Sequence, residues 1–198
     1  MDAEIDTSTF FGIVFSSLME ILGRETADEF IRDTDIPGQD SVDYDQVKGT
    51  QLVSELGDWL SGRYDPLSAS GVLIRVGRSS LTYLRRLDEE IASLGNIENR
   101  LKPVDRRFNY SLEILGARLQ EISGFQINIY QEGHREYNLK IGKPDVAGSG
   151  LFISPYFFFG LMEEFCVWLD SRKDYQISYR DIEKIEKAVI NILIREME

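Results

Sequence analysis

Few side chains in this chain are of the kind that do covalent or metal chemistry. There is one histidine, His134, and one cysteine, Cys166, in 198 residues. Histidine is the usual general base and a common metal ligand. A cysteine acts as a nucleophile only as a thiolate with a base beside it. His134 falls in Glu132-Gly133-His134-Arg135, a turn-like segment in which solvent exposure is expected. Cys166 falls in an apolar run beside Phe165, where an inert, buried thiol is expected. The two lie on different elements and do not make a zinc site, and no axial haem ligand is identifiable. Glu163 and Glu164 are read as solvated rather than as an acid–base couple. Acidic residues are abundant, yet their spacing matches no calcium loop. Gly71 and Gly77 form neither a phosphate loop nor a dinucleotide-binding fingerprint. No catalytic residue can be named, and no metal or cofactor is expected.

The charge is unevenly spread. Residues 1–65 hold 15 acids and 4 bases, whereas residues 66–198 hold 19 acids and 18 bases. The net charge of −12 disfavours nucleic acid and insertion into or binding of anionic membranes. Arg75, Arg78, Arg85, Arg86, Arg100, Lys102, Arg106 and Arg107 gather in the middle of the chain. They could bind an anionic group, but solvated helix faces and partners for the acidic N-terminal third are the preferred reading.

The aromatic load is the unusual feature. In the stretch LFISPYFFFGLMEEFCVWLD, residues 151–170, Phe158, Leu161, Met162, Phe165 and Leu169 recur at three- and four-residue spacing. That spacing predicts one apolar face of a helix. Phe157, Phe159, Cys166 and Trp168 widen it, and Gly160, Glu163, Glu164 and Val167 are left for the opposite side. Ser154 and Pro155 are a plausible helix start. The helix is too short and too charged to span a bilayer. A helix layer over a sheet lined with aromatics can leave an apolar cavity, the usual form of a small-molecule site. Phe157, Phe158, Phe165 and Trp168, with Tyr83, are therefore the candidate ligand-binding residues.

The remaining elements follow from periodicity. Helices are predicted over residues 8–22, 25–33, 46–61, 71–94 and 105–123, with an acidic loop over 35–45. Gly77 and Ser79-Ser80 in the 71–94 helix would allow another backbone to approach closely. The period then changes from 3.6 to 2. Phe125, Ile127 and Ile129, and then Tyr137, Leu139 and Ile141, alternate with polar residues, so 125–142 reads as a hairpin. A loop over 143–150 leads into the aromatic helix. Residues 175–179 alternate as well, and 188–194 read as a strand in competition with a helix. The expected fold is α+β: N-terminal helices packed on an antiparallel sheet of about four strands, with a helix between two hairpins. At 198 residues one domain is expected, an acidic helical part (1–65) joined to an α+β core (71–198).

The segments GVLIRVGRSSLTYLRRL, FQINIYQEGHREYNLKIG, SPYFFFGLMEEFCVWLDSRKDYQISY and AVINILIRE together resemble the 4-vinyl reductase, or hydrocarbon-binding, domain family over residues 71–195. The resemblance implies a fold similar to TRAPP vesicle-tethering subunits and, more distantly, to haem nitric-oxide-binding domains. It implies binding of an apolar molecule, or a sensory and dimerisation role. Many members of that family carry cysteines around the last hairpin, but residues 171–198 have none here.

The function expected is thus non-enzymatic binding of a hydrophobic small molecule by a sensory domain that forms a homodimer. The alternative is a protein-interaction scaffold of the same fold with a filled core. An enzyme of tetrapyrrole reduction is implied only by the family's name. Phe10, Phe11, Phe15 and Leu18 would supply apolar surface for the homodimer, with the 71–94 helix as the other candidate interface. The single cysteine and the acidic N-terminus, which lacks a basic leader region, make a reducing, cytoplasmic compartment the expectation.

Overall fold

Capping chemistry divides the N-terminal half of the chain into helices. In the computed structural model, residues 9–34, 46–142, 154–171, 174–180 and 187–195 are described. Thr9 starts α1 (Phe10–Leu22) by accepting the Gly12 N–H on its hydroxyl at 3.0 Å. Gly23 ends it at φ +87°, a conformation that favours glycine, and α2 (Arg24–Asp33) follows at once. The predicted acidic loop lies outside the described residues. The third helix, α3 (Gln46–Arg63), precedes a sharp turn in which Asp65 accepts from the Leu67 and Ser68 N–H groups, both at 3.1 Å. Ser68 also donates its hydroxyl to Asp65, which holds that carboxyl below the usual carboxylate range.

Asp65 and Pro66 are therefore the cap and first residue of α4 (Pro66–Leu87) as well as the end of the preceding segment. This corrects the predicted 71–94 helix at both ends. At the far end Asp88 accepts the Ile91 N–H at 2.9 Å and starts the short helix α5 (Glu89–Ser93). A single turn, α6 (Ile97–Arg100), leads to α7 (Val104–Ser123), which Gly124 terminates in the left-handed conformation at φ +72°.

The sheet is antiparallel with order β1-β2-β4-β3. Its strands are β1 (Gln126–Gly133), β2 (Glu136–Gly142), β3 (Asp174–Arg180) and β4 (Lys187–Arg195). The helix between the hairpins is α8 (Pro155–Leu169). The fold class is as expected, α+β with four strands. The register explains why the last apolar run is a strand. Tyr137, Leu139 and Ile141 on β2 pair with Ile192, Ile190 and Ala188 on β4, while Tyr175, Ile177 and Tyr179 on β3 pair with Ile194, Ile192 and Ile190. One face of the sheet is thus a continuous apolar surface, with Ile190, Ile192 and Ile194 buried on an inner strand.

The helices cover that surface. The most extensive helix–helix contact is α4 with α8; α8 also lies against β3 and β4, α7 against β1, and α1 against α4. Phe10, Phe11, Phe15 and Leu18 are buried within the chain. They are core, so the surface that argued for a homodimer through α1 is already covered.

Candidate functional site

The aromatic helix is positioned by two glycines. On Gly160 of α8, a Cβ would stand 2.0 Å from the Ile74 carbonyl oxygen of α4. On Gly77 of α4, it would stand 2.0 Å from the Phe157 carbonyl oxygen of α8. The crossing is reciprocal: each glycine faces the backbone three residues before the other. The small-residue break in α4 therefore does admit another backbone. Gly160, however, lies on the buried side of α8 and not on the polar side to which its neighbours assigned it. With no side chain it leaves no hydropathy signal of its own, and its role is to let α4 approach.

This crossing sets where the candidate ligand residues stand. Phe157 and Phe158 are fully buried and meet edge to face at a centroid separation of 5.2 Å. Phe158 also meets Phe125 at 4.9 Å, and Phe10 joins the group through Phe157 at 6.1 Å and Phe125 at 6.2 Å. These edge-to-face rings form a cluster between α1, α8 and the start of β1. Phe165, also buried, contacts Trp168 at 6.1 Å. Trp168 is half-buried, lies against Gly95, and has the Arg85 guanidinium 4.7 Å from its ring centroid. Tyr83 is half-buried beneath Arg86, at 5.8 Å, and makes no ring–ring contact with the other four among the described residues. The structure thus gathers Phe157 and Phe158 in one cluster and Phe165 and Trp168 in a second, with Tyr83 apart.

Cys166 is fully buried, and desolvation, with a smaller contribution from Glu163, pushes its thiol well above the ordinary range. A thiolate is disfavoured there, so the residue has the character of an inert core thiol. Glu163 does not stand free in solvent, because Arg78 of α4 donates to it through both Nε, at 3.1 Å, and Nη2. His134 is exposed in the β1–β2 turn, with Nδ1 3.8 Å from Asp105 Oδ2. Among the described residues, no three His, Cys, Asp or Glu side chains gather as a metal ion requires.

Two features were not legible as site residues. Arg107 is 2% exposed and donates from Nη2 to Asp170, itself buried, and from Nη1 to the Arg100 carbonyl at 3.1 Å. Tyr175 donates its hydroxyl to the Asp170 carbonyl at 2.7 Å, so the pair fastens α7 to the end of α8 and to β3. The available signal was position: Arg107, Ser111 and Leu115 share one stripe of α7, and all three are buried. A cleft of about 490 Å³ opens over this pair. A smaller cavity of about 150 Å³ lies between α3, α4 and the start of α8, beside the buried Ser54 and Ser154.

The arrangement of helices and sheet matches that of known structures. An H-NOX protein from S. oneidensis, solved in the Fe(II)NO ligation state, superposes with a TM-score of 0.60 at 12% identity, covering 96% of this chain and 99% of that one. The fold is that of H-NOX domains. A variant of the T. tengcongensis H-NOX protein superposes with a TM-score of 0.55 at 11% identity, covering 94% of this chain and 96% of that one. A trafficking protein particle complex subunit 3 from Naegleria fowleri, covalently bound to palmitic acid, gives 0.51 at 13% identity, covering 77% of this chain and 98% of that one. No family model matches the chain, and no curated protein matches it.

The H-NOX fold raises the question of haem, whose iron takes an axial donor such as histidine or cysteine. The chain's one histidine is in an exposed turn facing Asp105, and its one cysteine is a desolvated thiol inside the core. An exposed turn histidine and a thiol held protonated by burial are both poor axial donors for haem iron. Among the described residues, no helix is long and apolar enough to cross a membrane.

Proposed function

We propose that the chain is a non-enzymatic sensory domain that binds a hydrophobic small molecule and forms a homodimer, of the hydrocarbon-binding type. The observation that carries this reading is the aromatic face of α8. Phe157, Phe158, Phe165 and Trp168 occupy one helix held against α4 by a glycine crossing, over an apolar sheet. Aromatic and apolar walls with few polar groups are the ordinary lining of a small-molecule site. Two neighbours in fold support it, one described in an Fe(II)NO state and one carrying palmitic acid. Residues 1–198 act in this reading as one domain in a cytoplasmic setting. The homodimer would use the exposed start of α4, where Leu67 is 82% exposed, in place of the covered α1.

The experiment is displacement of a hydrophobic fluorescent probe, comparing the natural chain with Phe158→Ala. The reading predicts saturable probe binding that the substitution alters. A second reading, a protein-interaction scaffold with a filled core, is favoured by the contacts of Phe157 and Phe158 with each other and with Phe10 and Phe125. On that reading the probe does not bind, and Phe158→Ala acts only as a core truncation costing about 3–5 kcal/mol.

A further inference from the structure

The basic residues of the middle segment do not share one fate. Arg78 pairs with Glu163, Arg85 lies over Trp168, and Arg86 over Tyr83. Arg100, Lys102 and Arg107 instead line the cleft of about 490 Å³, with Pro103, Val104 and one acid, Asp170. That volume is within the range of small-molecule sites.

Three observations make the cleft electropositive within a chain of net charge −12. First, its single carboxylate, Asp170, and the Arg107 guanidinium neutralise each other, so the net charge of the lining is that of Arg100 and Lys102. The nearby Asp105 is likewise engaged, by Arg135 at 3.1 Å. Arg100 has no ion-pair partner among the described residues, and Lys102 has only the face of Tyr110, at 3.9 Å. Second, Arg107 is 2% exposed, and its Nε has no acceptor among the described residues. A buried guanidinium donor without a partner is costly unless something supplies the acceptor. Third, the cleft opens at the N-terminus of the 20-residue helix α7, where Pro103 stands at the cap position without a side-chain cap and Asp105 is the acid of the first turn. Uncapped amides and the helix dipole favour an anion at that end.

We propose that this cleft binds a phosphate-bearing anion, with Arg100 and Lys102 as the cationic walls, Arg107 as the buried floor and the first turn of α7 as the backbone donor. Arginine matches phosphate in a bidentate fork, and lysine adds a point charge. The phosphate could come from a soluble phosphorylated molecule or from a lipid headgroup. The cleft lies at the α6–α7 junction, away from the aromatic cluster of α8, so the proposal stands or falls independently of the apolar-ligand reading.

The test is calorimetric titration of the full chain with inorganic pyrophosphate in low-salt buffer, alongside flotation with phosphatidylcholine vesicles containing phosphatidic acid. Both are repeated on the double variant Arg100→Gln and Lys102→Gln. Arg100 is exposed and Lys102 only partly covered, so the variant keeps the fold, and its circular dichroism checks this. Saturable pyrophosphate binding, weakened at least about tenfold in the double variant and unchanged in Arg75→Gln, supports a soluble phosphate ligand. Vesicle binding with the same loss, and no heat from pyrophosphate, assigns the phosphate to a headgroup. Absence of binding in both arms, or binding that the double variant retains, overturns the proposal.

Discussion

Replacing Gly160 with alanine tests the helix crossing on which the arrangement of α8 depends. A helical Gly→Ala change free of contacts stabilises by about 0.5–1 kcal/mol, since alanine loses less backbone entropy. Gly71, inside α4 with open space where a methyl would stand, is the control for that gain. At Gly160 the new methyl would stand 2.0 Å from the Ile74 carbonyl oxygen and 2.8 Å from its Cα, and ordinary contact begins at 3.4 Å. Backbone cannot rotate away, so the helices must part by about 1.4 Å. A gap of roughly 0.5–1 Å already forfeits a quarter to a half of a van der Waals contact. The loss falls on the buried side chains that flank the crossing, Leu73 and Val76 on one helix and Phe157 and Leu161 on the other. Overpacking of this kind costs about 1–3 kcal/mol or more, so a net loss of about 2 kcal/mol is expected after the propensity gain. Urea unfolding of Gly160→Ala, Gly77→Ala, Gly71→Ala and the double variant Gly77→Ala with Gly160→Ala measures it. The double variant should cost less than the sum of its parts, because one displacement relieves both clashes. Stabilisation by Gly160→Ala equal to that of Gly71→Ala would refute the close crossing.

Tyr137 is buried, and desolvation pushes its hydroxyl up to about 12. The folded chain therefore holds this proton more tightly than the unfolded one, and stability falls as pH rises from about 10 to about 12, by on the order of 2 kcal/mol. Denaturant midpoints across that range should flatten in Tyr137→Phe, which loses only a 3.4 Å hydrogen bond to the Asp105 carbonyl. The Cys166 thiol should resist an aromatic disulfide reagent in the native state and react at once in denaturant; fast native labelling would place it outside the core. Asp170→Asn should destabilise by about 3–5 kcal/mol, because it leaves the Arg107 guanidinium buried without its counter-charge. A thermal shift no larger than that of a surface Asp→Asn change would show the pair to be solvated.

Much of the fold was legible because the elements have clean periods. Ile190, Ile192 and Ile194 alternate inward as a period of 2 requires, and Phe158, Leu161, Met162, Phe165 and Leu169 follow the helical spacing of α8. Helix boundaries were harder. Asp65 and Asp88 act by accepting backbone N–H groups, which hydropathy does not register, so the start of α4 and the break before α5 were displaced. Gly160 gives no signal of its side because its role is the absence of a side chain. Arg107 is indistinguishable in sequence from the solvated arginines because its buried partner, Asp170, is 63 residues away. The apolar surface of α1 resembles an interface because its cover comes from a distant helix, α4, and from Phe125 and Phe157. The candidate ligand residues divide in the same way. Phe157 and Phe158 share a cluster that their adjacency suggests, whereas Tyr83 stands apart because α4 turns it toward Arg86.

Native mass spectrometry of the purified full chain separates an apolar-ligand dimer from a filled scaffold, because it reports bound ligand and oligomeric state together. A dimer in which each chain carries a non-covalent apolar adduct that organic extraction removes is the expected result. A bare monomer mass that a hydrophobic probe leaves unchanged would contradict it.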